Sequence, residues 1–97
     1  MRLAVTRSGH YAADIYCVDS KSAKKQLKEK FVSILALDYY LAGRENAVDL
    51  IVWANKEKVL PTFVVLLERN REKRRELTNV LSSVGFKTSD YTTFIKD

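Results

Sequence analysis

One cysteine, one histidine, one proline and three glycines are all that 97 residues carry of the types that staple, ligate or break a chain. A lone Cys17 excludes an internal disulfide and a cysteine-rich zinc site. With His10 as the sole histidine, a metal centre would have to be built mostly from carboxylates, and no cofactor is expected. No uncharged apolar run is long enough for a membrane span, so membranes drop out of the expected partners. Arg2 and Arg7 interrupt the first residues and leave no apolar core for a secretory leader, so the expected location is cytoplasmic. No glycine-rich loop leads into Lys-Ser or Lys-Thr, which excludes a P-loop. Repeats, linkers and low-complexity tracts are missing too, so the expectation is one domain over residues 1–97.

What is present is globular in character. Hydrophobic residues make up 46% and charged residues 30%, a balance that can fill one core and does not describe a disordered chain. Lys and Arg outnumber Asp and Glu by 17 to 12, a net charge of +5 that permits an acidic protein or nucleic-acid partner without establishing one. The excess sits in two clusters, Lys21, Lys24, Lys25, Lys28 and Lys30, then Arg69, Arg71, Lys73, Arg74 and Arg75. Both lie among helix formers and are diluted by Glu29, Glu68, Glu72 and Glu76, so a solvated helix face is the plainer account of each.

Hydrophobic patterning gives the element order. Leu3 to Thr6 alternates like a short strand, Ser8 to Ala13 reads as a loop, and Ile15 to Val18 is a second strand rich in β-formers. The loop is too short for a helical crossover, so these two strands are expected to pair as an antiparallel hairpin. Asp19 or Ser20 caps a helix over Ser22–Lys30, with Ala23 and Leu27 on one face. Phe31 to Leu37 is apolar almost throughout, as in a strand buried on both sides, and it ends at Asp38. A second helix over Asn46–Lys58 places Val48, Ile51 and Val52 inward, with Trp53 beside that stripe. Pro61 closes that unit. Thr62 to Leu67 is another buried strand. Asn70 caps a third helix with Leu77, Val80, Leu81 and Val84 in helical register, and Gly85 fits its stop. Tyr91 to Ile95 forms a last, half-exposed strand. The predicted order is ββαβαβαβ: a two-layer α/β fold whose five-stranded, mostly parallel sheet follows an N-terminal hairpin and carries three helices on one face.

This order, with the run Ile34-Leu35-Ala36-Leu37-Asp38-Tyr39-Tyr40-Leu41-Ala42-Gly43, resembles the response-regulator receiver fold, a flavodoxin-like sheet in which a phosphoacceptor aspartate ends the third strand. The shortened front end is similar to the cyclic-phosphate-processing receiver-like family, which also replaces the first helix by a tight connection. The resemblance implies the scaffold and argues against its chemistry. A receiver holds Mg²⁺ with an acidic pair at the end of its first strand, where this chain has Val5-Thr6-Arg7, and one aspartate is a poor Mg²⁺ site. The receiver Ser or Thr ending the fourth strand becomes Leu67 or Glu68, and the conserved Lys could match only Lys96. Against the narrower family, whose central signature reads about Asp-His-Asp-Leu-Gly, the chain keeps Asp38 and Leu41 and loses the His and the second Asp. The family's His-Ser pair becomes Leu66-Leu67.

Other chemistry has bland competitors. Cys17 and His10 form a nucleophile–base pair on paper, but a cysteine in an apolar strand is usually a buried thiol. Asp38 and Glu68 both fall at the C-terminal edge of parallel strands, where such sheets place active sites, yet either carboxylate could serve only as a turn cap or a solvated charge. Tyr39, Tyr40, Arg44, Arg69 and Arg71 are expected near the same edge, and Tyr with Arg is contact chemistry. Asp38, Tyr39, Tyr40, Arg44, Glu68, Arg69 and Arg71 are therefore the candidate partner-binding residues. Three crossovers in one direction put all three helices on one sheet face. About four apolar positions on the central strands are then left facing water, at roughly 1.5–3 kcal/mol for each large side chain. The leading expectation is a non-enzymatic regulatory interaction module that binds a protein, or a second copy of itself, through that open face. A nucleic-acid binder using the basic helices is the second reading. A phosphohydrolase acting on cyclic or nucleotide phosphates, as the resemblance suggests, is the third.

Overall fold

The computed structural model describes residues 1–8 and 11–96. Its elements are β1 (Arg2–Val5), β2 (Ile15–Cys17), α1 (Ser20–Glu29), β3 (Ile34–Leu37), α2 (Ala47–Lys56), β4 (Phe63–Leu66), α3 (Arg71–Ser83), β5 (Phe86–Lys87) and β6 (Thr93–Lys96). The strands form one sheet ordered β2-β1-β3-β4-β6-β5, six strands where the sequence predicts five. β1 to β4 are mutually parallel across their pairings, and β6 runs antiparallel between β4 and β5.

The helices end where their caps dictate. The Asp19 carboxylate accepts the Ser22 amide at 2.8 Å, and α1 turns Ala23 and Leu27 inward. Asn46 and Asp49 form a reciprocal capping box at the start of α2. The inward stripe of that helix is Ala47, Leu50, Ile51 and Ala54, one position off the valine stripe read from the sequence, and Val52 is exposed. Trp53 packs beside the core under Lys24 and Lys28, whose ammonium groups lie 5.3 and 5.7 Å from its ring centroid. Asn70 caps α3, which buries Leu77 and Leu81. Gly85, at φ +99°, supplies the left-handed turn that stops it.

Two features of the predicted topology are corrected. β1 and β2 are parallel, with Leu3 opposite Ile15 and Val5 opposite Cys17, rather than an antiparallel hairpin. Strands this short need no helix for the return, because at about 3.3 Å per residue a few extended residues span their length. The returning chain is stitched at both strands. The Asp14 amide donates to the Arg2 carbonyl at 3.0 Å, and the Arg2 amide donates to the Asp14 carboxylate at 2.7 Å. The Tyr16 hydroxyl accepts the Ala13 amide at 3.0 Å and donates to the Tyr11 carbonyl. The second correction is at the other end. After α3 the chain forms the two-residue β5, turns, and inserts β6 antiparallel beside β4.

The sheet has two unlike faces. Leu3, Val5, Cys17, Leu35, Leu37, Val64, Leu66 and Phe94 share one buried cluster with the inward residues of all three helices. The opposite face carries Tyr16, Ala4, Ala36, Val65 and Thr93 in one cross-strand row, and Arg2, Ile34, Phe63 and Ile95 in the next. Ala4 and Ala36 are fully buried, and Tyr16 of the same row is held by the Ala13 amide and the Tyr11 carbonyl. The predicted bare face is thus not bare at Ala4 and Ala36. It stays open over β4 and β6, where Phe63 is 40% and Ile95 47% exposed. Among the described residues no helix is long and apolar enough to cross a membrane.

Candidate functional site

The parallel strands end together, so Thr6, Asp38 and Glu68 arrive at one edge as the residues just past β1, just past β3 and two past β4. The Asp38 amide donates to the Val5 carbonyl at 3.1 Å, and the Leu67 amide to the Leu37 carbonyl at 2.7 Å, which fixes the spacing of the three connections. A groove of about 470 Å³ opens between them, lined by Ser8, Tyr11, Asp38, Leu67, Glu68 and Arg69.

The carboxylates in this groove are occupied. Thr6, buried at the end of β1, donates its hydroxyl to Asp38 and also accepts the Ser8 amide at 3.1 Å. Neither Arg7 nor Lys96 pairs with Asp38. Ion pairs between described residues join Lys24 to Glu45, Lys28 to Glu57 and Lys73 to Glu76. Lys96 cannot take the receiver lysine's place at all. Because β6 is antiparallel, Lys96 lies beside Thr62 at the opposite end of the sheet, near the Phe86 ring. Glu68 accepts the Tyr39 amide at 3.0 Å on one oxygen and the Asn70 amide at 3.1 Å on the other. It ties the β3–α2 connection to the cap of α3. Among the described residues no group of three or more His, Cys, Asp or Glu could hold a metal ion.

The two tyrosines divide their roles. Tyr39 is buried, its ring edge-on to Tyr40 at 4.9 Å, and its hydroxyl accepts from the Asn46 side chain at 3.2 Å. The Lys73 ammonium lies 4.7 Å from the Tyr39 ring and 5.8 Å from the Tyr40 ring. Glu76, facing the phenol, holds the Tyr39 hydroxyl above the ordinary tyrosine pKa. Tyr40 stays in solvent. Arg44 is not brought to this edge cluster: it lines a separate recess with Asp19, Lys21, Lys24 and Glu45.

Arg69 and Arg71 stand at the border of a second groove, of about 590 Å³, completed by Arg74, Arg75, Thr78, Asn79 and Tyr91. The sequence pattern puts Arg74 and Arg75 on a basic helix face and Tyr91 in a strand. The signal for Tyr91 is the Thr88-Ser89-Asp90 run before it, a side-chain-built turn. The Asp90 carboxylate accepts the Thr92 and Thr93 amides at 2.9 Å each, which keeps its pKa below the ordinary carboxylate value. The lysine cluster on α1 is more committed, since Lys24 and Lys28 each hold a glutamate and cover Trp53.

Cys17 is buried at the end of β2, and that burial is the main force pushing its thiol pKa up, so little thiolate forms near neutrality. His10, its proposed base, lies outside the described residues. Ellman's reagent should leave the native protein unmodified over a period in which the guanidinium-unfolded chain reacts fully. Prompt reaction of the native protein would show an accessible nucleophile instead. Comparison of the chain with protein-family models, with curated proteins and with solved structures finds no match to any of them.

Proposed function

We propose that the protein is a non-enzymatic regulatory module on a degenerate receiver-like scaffold, and that it holds an apolar segment of a partner protein against the open half of its sheet. The mixed α/β sheet is compatible with a flavodoxin-like fold through its β2-β1-β3-β4 portion, and Asp38, just past β3, is the residue that the receiver resemblance would make the phosphoacceptor. Around it, a hydroxyl replaces the acidic pair, and Glu68 is engaged by two main-chain amides. These substitutions favour a surface over a reaction centre.

One observation carries the reading: Phe63 and Ile95 are direct cross-strand partners on the helix-free face, both substantially exposed, with Ile34 continuing the row toward β1. Burying the exposed part of each large side chain contributes about 1 kcal/mol. At the same end of the sheet Phe31 is 85% exposed, and a groove of about 420 Å³ joins it to Phe63. Lys30 and Lys58 line that groove, no acidic residue does, and the row itself ends at Arg2. Two copies pressed face to face would bring these cations together, which disfavours self-association. An apolar segment flanked by Asp or Glu matches both the row and its rim.

Displayed peptide libraries with Leu, Ile and Phe cores test this, one flanked by acidic residues and one by lysines. The acid-flanked library should be enriched on the wild-type protein and not on a Phe63→Glu, Ile95→Glu variant whose circular dichroism is unchanged. Enrichment of neither library, or enrichment that survives the double substitution, overturns the reading. A dimer in light scattering at tens of micromolar that Phe63→Glu dissolves would give the face to a second copy. Uptake of acetyl phosphate or beryllofluoride with Mg²⁺ would refute the non-enzymatic part.

A further inference from the structure

On a different surface, the flank of α3, we infer a binding site for single-stranded nucleic acid, in which the arginines hold phosphates and Tyr91 stacks on a base. The groove between α3 and the β5–β6 turn is lined by Arg69, Arg71, Arg74 and Arg75 and by no carboxylate. Among the described residues none of these arginines forms an ion pair. Arg74 has a fixed position: it donates to the Glu68 carbonyl at 2.6 Å, to the Tyr91 carbonyl at 2.5 Å and to the Thr92 hydroxyl at 2.9 Å. All three acceptors are neutral, so its charge is oriented without being cancelled.

Two further features suit an anionic ligand with an exposed ring. Arg71, Arg74 and Arg75 occupy the first turns of α3, where the helix dipole repels cations and attracts anions. An incoming phosphate reverses that repulsion. Tyr91 sits at φ +58°, a left-handed backbone that a residue with a bulky side chain adopts only under constraint. The constraint comes from the Thr88 hydroxyl, which accepts the Tyr91 amide at 2.9 Å, and from Arg74 on its carbonyl. The result is a tyrosine 63% exposed at the lip of an arginine groove. A cationic groove with an exposed ring recognises a phosphodiester carrying an unstacked base. The side chains of Thr78 and Asn79 add hydrogen-bonding groups along the same wall. A rigid duplex keeps its bases paired and offers the ring nothing to stack on.

Fluorescence polarisation with labelled twelve-nucleotide oligouridine, oligothymidine and a duplex of the same length tests the site. Both single strands should bind better than the duplex, and whichever of the two binds more tightly separates RNA from DNA. With four unpaired arginines, affinity should fall about 50-fold between 50 and 200 mM salt. Arg71→Gln with Arg75→Gln should cut that fall to about 7-fold. Tyr91→Gly keeps the left-handed backbone and removes only the ring, and should weaken binding about tenfold at every salt concentration. No binding of any oligonucleotide at 50 mM salt overturns the proposal. So does binding that is unchanged by Tyr91→Gly, or matched by heparin and an acidic peptide, since either would describe a general polyanion surface. The peptide-library result reads a different face, so each proposal fails on its own measurement.

Discussion

Replacing Phe94 by Ala should lower the unfolding free energy by about 3–5 kcal/mol, while Ile95→Ala beside it costs under about 1 kcal/mol. Phe94 is fully buried and pairs with Val64 on the face the helices cover. Truncating it empties a space among core residues that cannot close over it. Ile95 points to the opposite face and already meets water. Urea titrations of the two variants, read as midpoints at a common slope, measure the contrast. A domain of this size should lose roughly 4–8 °C in melting temperature for each kcal/mol. Near-equal, small losses would mean that the last strand is a loosely attached edge and not an internal member of the sheet.

The second large effect is expected at Glu68. Its carboxylate accepts main-chain amides from Tyr39 and Asn70, and hydrogen bonds to a charged group contribute about 1.5–3 kcal/mol each in protected settings. Glu68 is partly open to water, so Glu68→Ala should cost about 2 kcal/mol in total. Glu68→Gln keeps one acceptor oxygen and should recover about half. A second reading comes from amide exchange: the Tyr39 and Asn70 amides should exchange faster in the alanine variant than in wild type, while Leu35 at the centre of β3 changes much less. A catalytic base with no structural duty would show neither effect, and its removal would leave stability near wild type.

These two sites also show how far the sequence could be read. The alternation of strands and helices, the cap at Asn70 and the stop at Gly85 are local patterns that reappear in the structure, and of the two cap residues open for the first helix, Asp19 and Ser20, it is Asp19 that caps. Asp38 reappears too, just past β3. The direction of β2 is not legible, because a short loop suggests a hairpin whereas strands of four and three residues are short enough to be joined in parallel without a helix. β5 has two residues, fewer than any periodic pattern needs. The α2 stripe slipped by one because Ala47 and Ala54 fill inward positions that a search for large apolar residues passes over. At the sheet edge, the sequence placed Asp38 and Glu68 together but could not show where the Tyr39 and Asn70 amides point. Arg44 lies along the same C-terminal edge, but its loop is drawn toward β2 and away from the Asp38 groove, because the Ala42 amide donates to the Val18 carbonyl at 2.7 Å.

The outermost strands of the sheet have three and two residues, and this bears on how copies of the protein could meet. A foreign strand laid along either margin would gain only two or three main-chain hydrogen bonds, too few to repay the ordering of its own backbone. Ribbon-like growth and fibril templating are therefore disfavoured from both sides.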